Sequence, residues 1–452
     1  MNLYERIAFD IKDKIRKGTY ESGSKLPSLH TMMDTYQCSK GTVLKAYDSL
    51  RNEHIIYAKA QSGYYVANDL KQYQHDHDIT YDLSTGNPTV DAFSIMEAKH
   101  VLNVALESYR KSSLEQEIKG VLSLTRLLVD YLQDFHIYTK RQSIFLTQGV
   151  IQMISLFTQI EFPNHKHKVL LESPTFSFAN KIMHVYNAEV LTIKRDKDGI
   201  DLDELERLFR DEPIKFFYIV PRNHNPLGTY LSHHQRKRIM ELAIAYDVYI
   251  LEDDYFNDSF AIPKYEPLYY FSGFKNCIYL KSYSKLFPYI RIGYAVVPDS
   301  LLPIFKESIE LSYFTSYQMP SLVSQATLEA AIRSDILTNN ANALSDELHA
   351  KIKLLNKMSA KWDTEVVQHI PAQSGYYSTL ILHPSIDVTQ LIATLKEQHL
   401  SVASNLNSFY DPAAYDNSIR ITLTRIQIEQ IPTIMTILYE TVQGIYQKKV
   451  SS

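Results

Sequence analysis

The sequence predicts two domains: a small helical N-terminal domain that ends in a two-stranded β element, and a larger α/β domain. Three observations support this organisation. The chain has 452 residues, more than one ordinary hydrophobic core accommodates. Apolar residues recur at helical spacing near the N-terminus, and from about residue 83 short β-rich apolar runs alternate with helical stretches. We therefore place the first domain at residues 1–68, a linker at 69–82 and the second domain at 83–452.

Composition is that of a soluble globular protein, with 45% hydrophobic and 22% charged residues. Two cysteines, Cys38 and Cys277, lie far apart and match no metal-ligand spacing. This argues against a disulfide framework or a zinc finger and suits a reducing compartment. Charges recur too often near the N-terminus for a signal peptide, and no apolar run reaches the roughly 18 residues of a membrane helix. We expect a cytoplasmic protein with no membrane partner.

Charge is distributed unevenly along the chain. The net charge is −4, but residues 1–68 hold ten Lys/Arg and seven Asp/Glu, which makes this part +3 and leaves −7 for the rest. A mildly basic N-terminal domain followed by an acidic larger domain is typical of a small nucleic-acid-binding module joined to a second domain.

The first 68 residues predict three helices. Apolar residues recur every four positions from Leu3 to Ile15, as in an amphipathic helix. A second short helix is predicted at Ser28–Tyr36, and Ser39 can cap a third helix that runs to Leu50.

The same region ends in two apolar runs, 55–57 and 64–66, which flank a turn at 61–63 and predict a two-stranded wing. Three helices and a wing describe a winged helix-turn-helix. The segments GSKLPS (23–28), CSKGTVLKAYDSL (38–50) and QSGYYV (61–66) resemble the landmarks of the GntR family. This resemblance implies that the third helix enters the major groove of double-stranded DNA.

The resemblance also assigns DNA contacts residue by residue. The DNA-facing residues of the third helix would be Ser39, Lys40, Thr42 and Lys45. Lys25 and Ser28 would lie at the phosphates, and Gly63 would let the wing tip approach the minor groove. Lysine and threonine side chains offer donors to phosphate or to base edges, as such contacts need. The sequence departs from the family at Lys25, His30 and Lys40, where arginine is common.

Residues 69–82 are polar and lack periodicity, which is typical of a linker. The segment 75–78, His-Asp-His-Asp, has residue types that bind metals, but no further cluster lies at a suitable spacing. We interpret it as solvated linker and predict no metal site.

The second domain predicts a mainly parallel sheet covered by helices. Candidate strands lie at 169–171, 216–220, 248–251, 278–280 and 292–297, with helical stretches such as 202–209 and 233–246 between some of them. In such sheets, ligands bind at the carboxyl ends of the strands.

Polar residues with useful chemistry follow these strands. Asn225, Asp253 and Lys285 each follow one, and Gly149 precedes a helical run whose first amides can hold a phosphate. A lysine can form a Schiff base, a carboxylate can keep a pyridine nitrogen protonated, and an amide can bond a phenolic oxygen. These are the parts that a pyridoxal phosphate site requires.

Four motifs occur in a characteristic order: SPTF (173–176), HNPLG (224–228), LEDDYF (251–256) and SYSKLFPYIRIGY (282–294). With them the larger domain resembles fold-type I aminotransferases, which are α/β proteins. The whole chain resembles the MocR subgroup of GntR regulators, in which a winged helix-turn-helix precedes such a domain.

The resemblance implies that pyridoxal 5'-phosphate forms an aldimine with Lys285. It implies that Asp253 pairs with the ring nitrogen and that Asn225 and Tyr255 contact the phenolate. It further implies that Phe176 stacks on the ring, that the phosphate is bound by Ser282, Ser284 and Arg291, and that Arg420 binds a ligand carboxylate. Gly149 and Val150, at the start of the helical run, are further candidates for cofactor binding.

Two departures bear on activity. The family usually places its phosphate-binding arginine seven residues after the lysine, whereas Arg291 is six after Lys285. Catalytic aminotransferases usually carry a Tyr-x-x-Pro-x-Gly segment, and the matching stretch 115–120 begins with Glu115 and has neither the tyrosine nor the proline. A carboxylate there would repel a phosphate, which favours a ligand sensor over an efficient enzyme.

Three interpretations follow from these patterns. We favour a homodimeric transcription regulator that binds DNA and senses an amino compound or pyridoxal phosphate itself. The second is an active aminotransferase with an appended DNA-binding module. The third is a regulator whose larger domain has lost the cofactor and serves for dimerisation, against which Asn225, Asp253 and Lys285 argue. Operator, effector and sign of regulation are open.

Overall fold

The computed structural model describes residues 2–52, 55–59, 62–67, 81–89, 95–110, 119–256, 265–316 and 318–450. The chain divides into two compact units, Met1–Asp78 and Ile79–Ser452. Within the described ranges, none of the helices is both long and apolar enough to cross a membrane. The predicted linker segment 75–78 and the stretch 115–118 lie outside the described residues.

The smaller unit has the predicted three helices and wing. Its elements are α1 (Leu3–Arg16), α2 (Leu29–Tyr36), α3 (Lys40–Asn52), β1 (Ile56–Lys59) and β2 (Gly63–Val66). Ser28 caps α2 by accepting a hydrogen bond from the Thr31 amide at 3.1 Å. The apolar faces of the helices meet in one core around Ile7, Val43 and Tyr47.

The larger unit is a layered α/β structure. Its described helices are α4 (Ile95–Ser108), α5 (Leu122–Tyr131), α6 (Val150–Gln159), α7 (Ser177–Val185), α8 (Leu202–Asp211), α9 (His233–Ala245), α10 (Leu268–Phe271), α11 (Leu302–Ser316), α12 (Leu322–Arg333), α13 (Ile336–Ser359), α14 (Val388–Glu397) and α15 (Ile431–Val450). Its described strands are β3 (Tyr81–Asp82), β4 (Ile144–Thr147), β5 (Lys168–Ser173), β6 (Val190–Asp196), β7 (Gly199–Ile200), β8 (Ile214–Ile219), β9 (Tyr249–Asp253), β10 (Cys277–Ser282), β11 (Gly293–Val296), β12 (Val367–Ile370), β13 (Tyr377–Leu382), β14 (Leu400–Ser401), β15 (Ala403–Ser404) and β16 (Ser418–Thr422).

The main sheet confirms the predicted parallel architecture. Its strand order is β4-β11-β10-β9-β8-β5-β6-β7, and the central pairs β10-β9, β9-β8, β8-β5 and β5-β6 are parallel. Successive residues point to opposite faces, so that Ile250 belongs to one apolar core and Leu251 to the other. Both faces are covered, which explains the nearly continuous apolar runs of these strands.

A second sheet was not predicted. Strands β12-β13-β16-β15 form it, and all of its pairs are antiparallel. In addition, β3 pairs in parallel with β14, Tyr81 opposite Leu400. Tyr81 and Asp82, which lie in the segment predicted as linker, thus pair with a strand of the larger unit.

Candidate ligand site and nucleic-acid interface

A cavity of about 300 Å³ opens where β8, β9 and β10 end. Every residue predicted to bind the cofactor or its ligand lines it, namely Gly149, Val150, Phe176, Asn225, Asp253, Tyr255, Ser282, Ser284, Lys285, Arg291 and Arg420. The wall also includes residues that were not predicted: Thr85, Gly86, Asn87, Gln148, Ile151, Ser177, Phe178, Val220 and Tyr377.

Asp253 is the last residue of β9 and is buried. Its Oδ2 atom accepts a hydrogen bond from the Tyr218 hydroxyl at 2.6 Å. Its Oδ1 atom is buried too and has no hydrogen-bond partner among the described residues. Burial raises the pKa of this carboxyl to about 7, although the Tyr218 hydrogen bond opposes the shift. One oxygen is thus left to pair with a cationic group inside the cavity.

The two acidic neighbours of Asp253 point to the other face of β9. Glu252 accepts hydrogen bonds from the Leu268 and Tyr269 amides at 2.9 and 2.8 Å. Asp254 accepts two from Arg222, both at 2.6 Å. The strand alternation therefore leaves Asp253 alone to serve the cavity.

Lys285 follows β10 and is half-buried. Its Nζ atom donates to the Gly86 carbonyl at 2.5 Å and to Oδ1 of Asn87 at 3.1 Å. The Tyr376 hydroxyl donates to the Lys285 carbonyl at 3.2 Å and so holds the lysine backbone from behind. The amino group is consequently accessible from the cavity and is held by two acceptors.

One end of the cavity brings together the residues predicted to bind the phosphate. Gly149 caps α6 with φ +119°, a conformation that suits glycine, and brings the start of this helix to the wall. The hydroxyls of Ser282 and Ser284 lie 3.1 Å apart beside it. Arg291 is exposed at the same cavity and makes no hydrogen bond or ion pair within the described part of the chain. Despite its shifted spacing, Arg291 lies with the other predicted phosphate ligands.

Arg420 on β16 contributes a second guanidinium. It donates to Oδ1 of Asn225 at 3.1 Å and to the Ser84 carbonyl at 2.8 Å, and its Nε atom is buried without a partner among the described residues. The guanidinium lies 5.0 Å from the centre of the Tyr377 ring. Arg420 thus reaches the predicted amide, and one of its donors remains unused.

Tyr255 and Phe176 line the cavity with different surroundings. The Tyr255 hydroxyl donates to the Asn223 carbonyl at 2.7 Å, so it would have to turn from this bond to contact a phenolate. Phe176 precedes α7 and packs against Phe178 with ring centres 5.5 Å apart. Phe176 therefore offers an aromatic surface at the cavity wall.

On the smaller unit, α3 presents the predicted DNA contacts. Ser39 and Lys40 are exposed, and the Thr42 amide donates to the Ser39 hydroxyl at 3.3 Å as the helix begins. The Lys45 ammonium lies 4.3 Å from the centre of the Tyr4 ring on α1. Lys40 is therefore the more available of the two helix lysines.

The predicted contacts outside α3 lie at the wing and at the start of α2. Lys25 forms a bridge with Tyr65 of β2 and is exposed. Gly63 has φ +112°, and a Cβ atom there would lie 3.3 Å from Cε of Lys25. Ser28 is exposed at the start of α2, although its hydroxyl accepts the capping hydrogen bond. Lys25 and Gly63 thus share one surface of the wing.

Comparison with known proteins agrees with both units. Residues 78–437 match the family described as aminotransferase class I and II, and residues 3–66 match the bacterial regulatory proteins of the gntR family. The chain is 30% identical to the uncharacterized HTH-type transcriptional regulator YcxD of Bacillus subtilis, covering 95% of this chain and 98% of that protein. The HTH-type transcriptional regulator NorG of Staphylococcus aureus is 22% identical over 93% of this chain and 100% of its own length.

Solved structures resemble the larger unit. A multiple substrate aminotransferase from Thermococcus profundus has a TM-score of 0.74 and 20% identity, covering 84% of this chain and 95% of that one. A kynurenine aminotransferase from Pyrococcus horikoshii has a TM-score of 0.73 and 20% identity, covering 83% and 93%. These similarities establish the fold-type I aminotransferase fold.

The order of the two family matches is informative, because a gntR-type domain precedes an aminotransferase domain in one chain. We conclude that the protein belongs to the aminotransferase class I and II family and, with this gntR-type domain, has the MocR arrangement of DNA-binding transcription regulators.

Proposed function

We propose that the larger unit binds pyridoxal 5'-phosphate at Lys285 and senses a small amine there, so that the chain regulates transcription in response to it. The observation that carries the proposal is the meeting of three features in one cavity. These are the amino group of Lys285, the unpartnered Oδ1 of Asp253 and, at one end, the guanidinium of Arg291.

The residues present fit this cofactor. A protonated pyridine nitrogen would give Oδ1 of Asp253 the partner that it lacks. The start of α6, the hydroxyls of Ser282 and Ser284, and Arg291 would hold the phosphate. When bound, pyridoxal phosphate supplies an aldehyde that condenses with primary amines and a ring that withdraws electrons from them.

Arg420 makes an amine with a carboxylate the best effector candidate. Its guanidinium faces the cavity and has an unused donor at Nε, and bidentate pairing with a carboxylate is the interaction for which arginine geometry is best suited. Pyridoxal phosphate itself is the alternative effector, since it would engage Lys285 without any amine.

For the smaller unit, we propose that α3 and the wing bind one DNA half-site. The protein would then act as a homodimer on two half-sites. A dimer fits paired half-sites, whereas one copy of the smaller unit reaches a single half-site. Exposed apolar side chains on α11, Leu311 at 64% and Phe314 at 72%, offer a surface for a second copy. Binding should weaken strongly with salt because lysines neutralise phosphates.

The cofactor is tested by trapping. Purified protein should absorb visible light, and borohydride reduction followed by peptide mapping should place the cofactor on Lys285. The substitution Lys285→Ala should abolish the covalent link, whereas Lys275→Ala, which removes an exposed lysine, should leave it intact. Asp253→Ala should weaken cofactor binding through loss of the charge partner. A cofactor trapped on another lysine would contradict the assignment.

The same preparation separates a sensor from an enzyme. We expect turnover of amino acids with 2-oxo acids to be slow or absent, because the resemblance to catalytic aminotransferases matches their tyrosine to Glu115. Efficient turnover would instead identify a working aminotransferase with an appended DNA-binding module.

A further inference from the structure

The segment Leu83–Asn87, which we call the strap, crosses the wall of the cavity. All five of its carbonyl oxygens accept a hydrogen bond. From Leu83 to Asn87 in order, the donors are the Thr422 amide at 3.0 Å, Arg420 Nη2 at 2.8 Å, the Thr422 hydroxyl at 2.8 Å, Lys285 Nζ at 2.5 Å and Arg425 Nε at 2.9 Å. Two of these five donors, Arg420 and Lys285, are the proposed ligand-binding side chains.

Packing and charge fix the strap in place. Gly86 is buried against Tyr377, and a Cβ atom on it would lie 2.3 Å from the tyrosine hydroxyl. Arg425 also pairs at 2.8 Å with Asp82, the residue before the strap, and so links the two flanks of the strap. Asn87 is exposed, and its side chain adds a second acceptor for the lysine at 3.1 Å.

We propose that the strap is an occupancy-dependent element, in which Asn87 and the Gly86 carbonyl hold the amino group of Lys285 only while the lysine is not engaged by cofactor. Asn87 is thus a positioning residue for Lys285. This inference rests on the proposed function and deepens it, because it names the residue that opposes cofactor attachment and the segment that responds to it.

Counting hydrogens explains the competition. A lysine ammonium has three N–H donors and can serve both acceptors. Condensation of the neutral amine with an aldehyde forms a carbon–nitrogen double bond, and the two amine hydrogens leave with the aldehyde oxygen as water. The engaged nitrogen keeps at most one proton, so it cannot satisfy both the Gly86 carbonyl and Asn87.

A carboxylate ligand would compete with the strap for Arg420 in the same way. The Arg420 contact with the Ser84 carbonyl uses a donor that a bound carboxylate also attracts. Ligands at either position therefore release a strap carbonyl, while the bonds from Thr422 and Arg425 remain. The strap loosens in its central part rather than detaching.

The test measures pyridoxal phosphate affinity in full-length protein with two substitutions of opposite chemistry. Asn87→Ala removes one acceptor from the unengaged lysine and should tighten binding by about three- to tenfold, since bonds to charged groups are among the stronger ones. Asn87→Asp holds the ammonium more firmly and should weaken binding by a similar factor. Thr89→Ala, an exposed neighbour outside the strap, should bind like wild type.

Hydrogen exchange gives a readout that does not need the cofactor. Amides 83–87 should exchange faster in cofactor-free Lys285→Ala than in cofactor-free wild type, and faster in wild type once the cofactor is added. Equal exchange in the two cofactor-free proteins, or affinities that move in the same direction in both Asn87 variants, would overturn the inference. If wild type attaches no cofactor at Lys285, the proposed function fails, and the cofactor-free comparison still decides whether the lysine holds the strap.

Discussion

Asp253 is a buried carboxyl group. Its negative charge can pair with a bound cofactor, but it destabilises the cofactor-free protein. Burial raises its pKa to about 7 from the ordinary 3.8. Between these pH values the folded protein binds a proton that the unfolded chain has released. Stability of the cofactor-free protein should therefore fall as pH rises from about 4 to about 7, and this contribution should level off above that range.

The substitution Asp253→Asn tests this cost. The asparagine can still accept the hydrogen bond from Tyr218 but does not ionise. We compare the free energy of unfolding of Asp253→Asn with that of cofactor-free wild type. The advantage of the variant should be larger at pH 8 than at pH 5 by ~2–3 kcal/mol. Denaturant unfolding followed by the fluorescence of Trp362, the single tryptophan, measures the larger unit. A difference that does not change with pH would contradict the shifted pKa, and cofactor-bound wild type is the control in which the charge is paired.

At the scale of elements, the wing depends on Gly63. Its φ of +112° is one that side chains rarely adopt. Gly63→Ala should destabilise the smaller unit by ~1 kcal/mol or more and weaken operator binding. The matched control is Gly18→Ala, where φ is +75° and nothing lies within 4 Å of the added Cβ atom. Thermal unfolding should register both variants, and a DNA affinity unchanged in Gly63→Ala would remove the wing from the interface.

Helix α3 makes a separate prediction. Lys40 is exposed at its first turn, so Lys40→Ala should lower specific operator affinity by ~1–3 kcal/mol if the side chain reads a base edge. Lys357→Ala makes the same charge change on α13, at an exposed position, and should have little effect. Fluorescence anisotropy at fixed salt measures both, and an unchanged affinity for Lys40→Ala would exclude it from the interface.

The elements that sequence predicts well are those with their own side-chain pattern. Strand β8 was predicted from its apolar run and Asp253 from its place after a strand. Tyr218 was missed because a tyrosine inside an apolar run is indistinguishable from core. The strap was missed because it works through backbone carbonyls, which leave no trace in residue identity. The antiparallel sheet was missed because its strands are short and α14 separates β13 from β15 and β16 along the chain.

For the whole molecule, the prediction concerns the coupling between ligand binding in the cavity and operator binding by the smaller unit. A ligand can shift operator affinity only if it makes different contacts in two states of the protein. Lys285 and Arg420 provide such contacts, since each exchanges a strap carbonyl for a ligand. An amine effector should therefore change operator affinity by ~1–3 kcal/mol, the usual size of allosteric coupling.

Titration of operator binding with pyridoxal phosphate and then with amines checks this coupling. Lys285→Ala should abolish both responses, and Arg420→Ala should reduce the response to amines that carry a carboxylate. An amine response that survives in Lys285→Ala would rule out this route, and a response to cofactor alone would make pyridoxal phosphate the effector.

The acidic triplet at the end of β9 also constrains how the sheet assembles. Glu252 and Asp254 have partners on one face, and Asp253 serves the other. If β9 slipped by one residue between β8 and β10, two carboxylates would enter the cavity and the third would face the opposite core, away from these partners. Buried charges without partners are strongly unfavourable, so the triplet selects one register. Strand pairing and the cavity wall are therefore linked, because the register that gives Glu252 and Asp254 their partners is also the one that places a single carboxylate, Asp253, in the cavity.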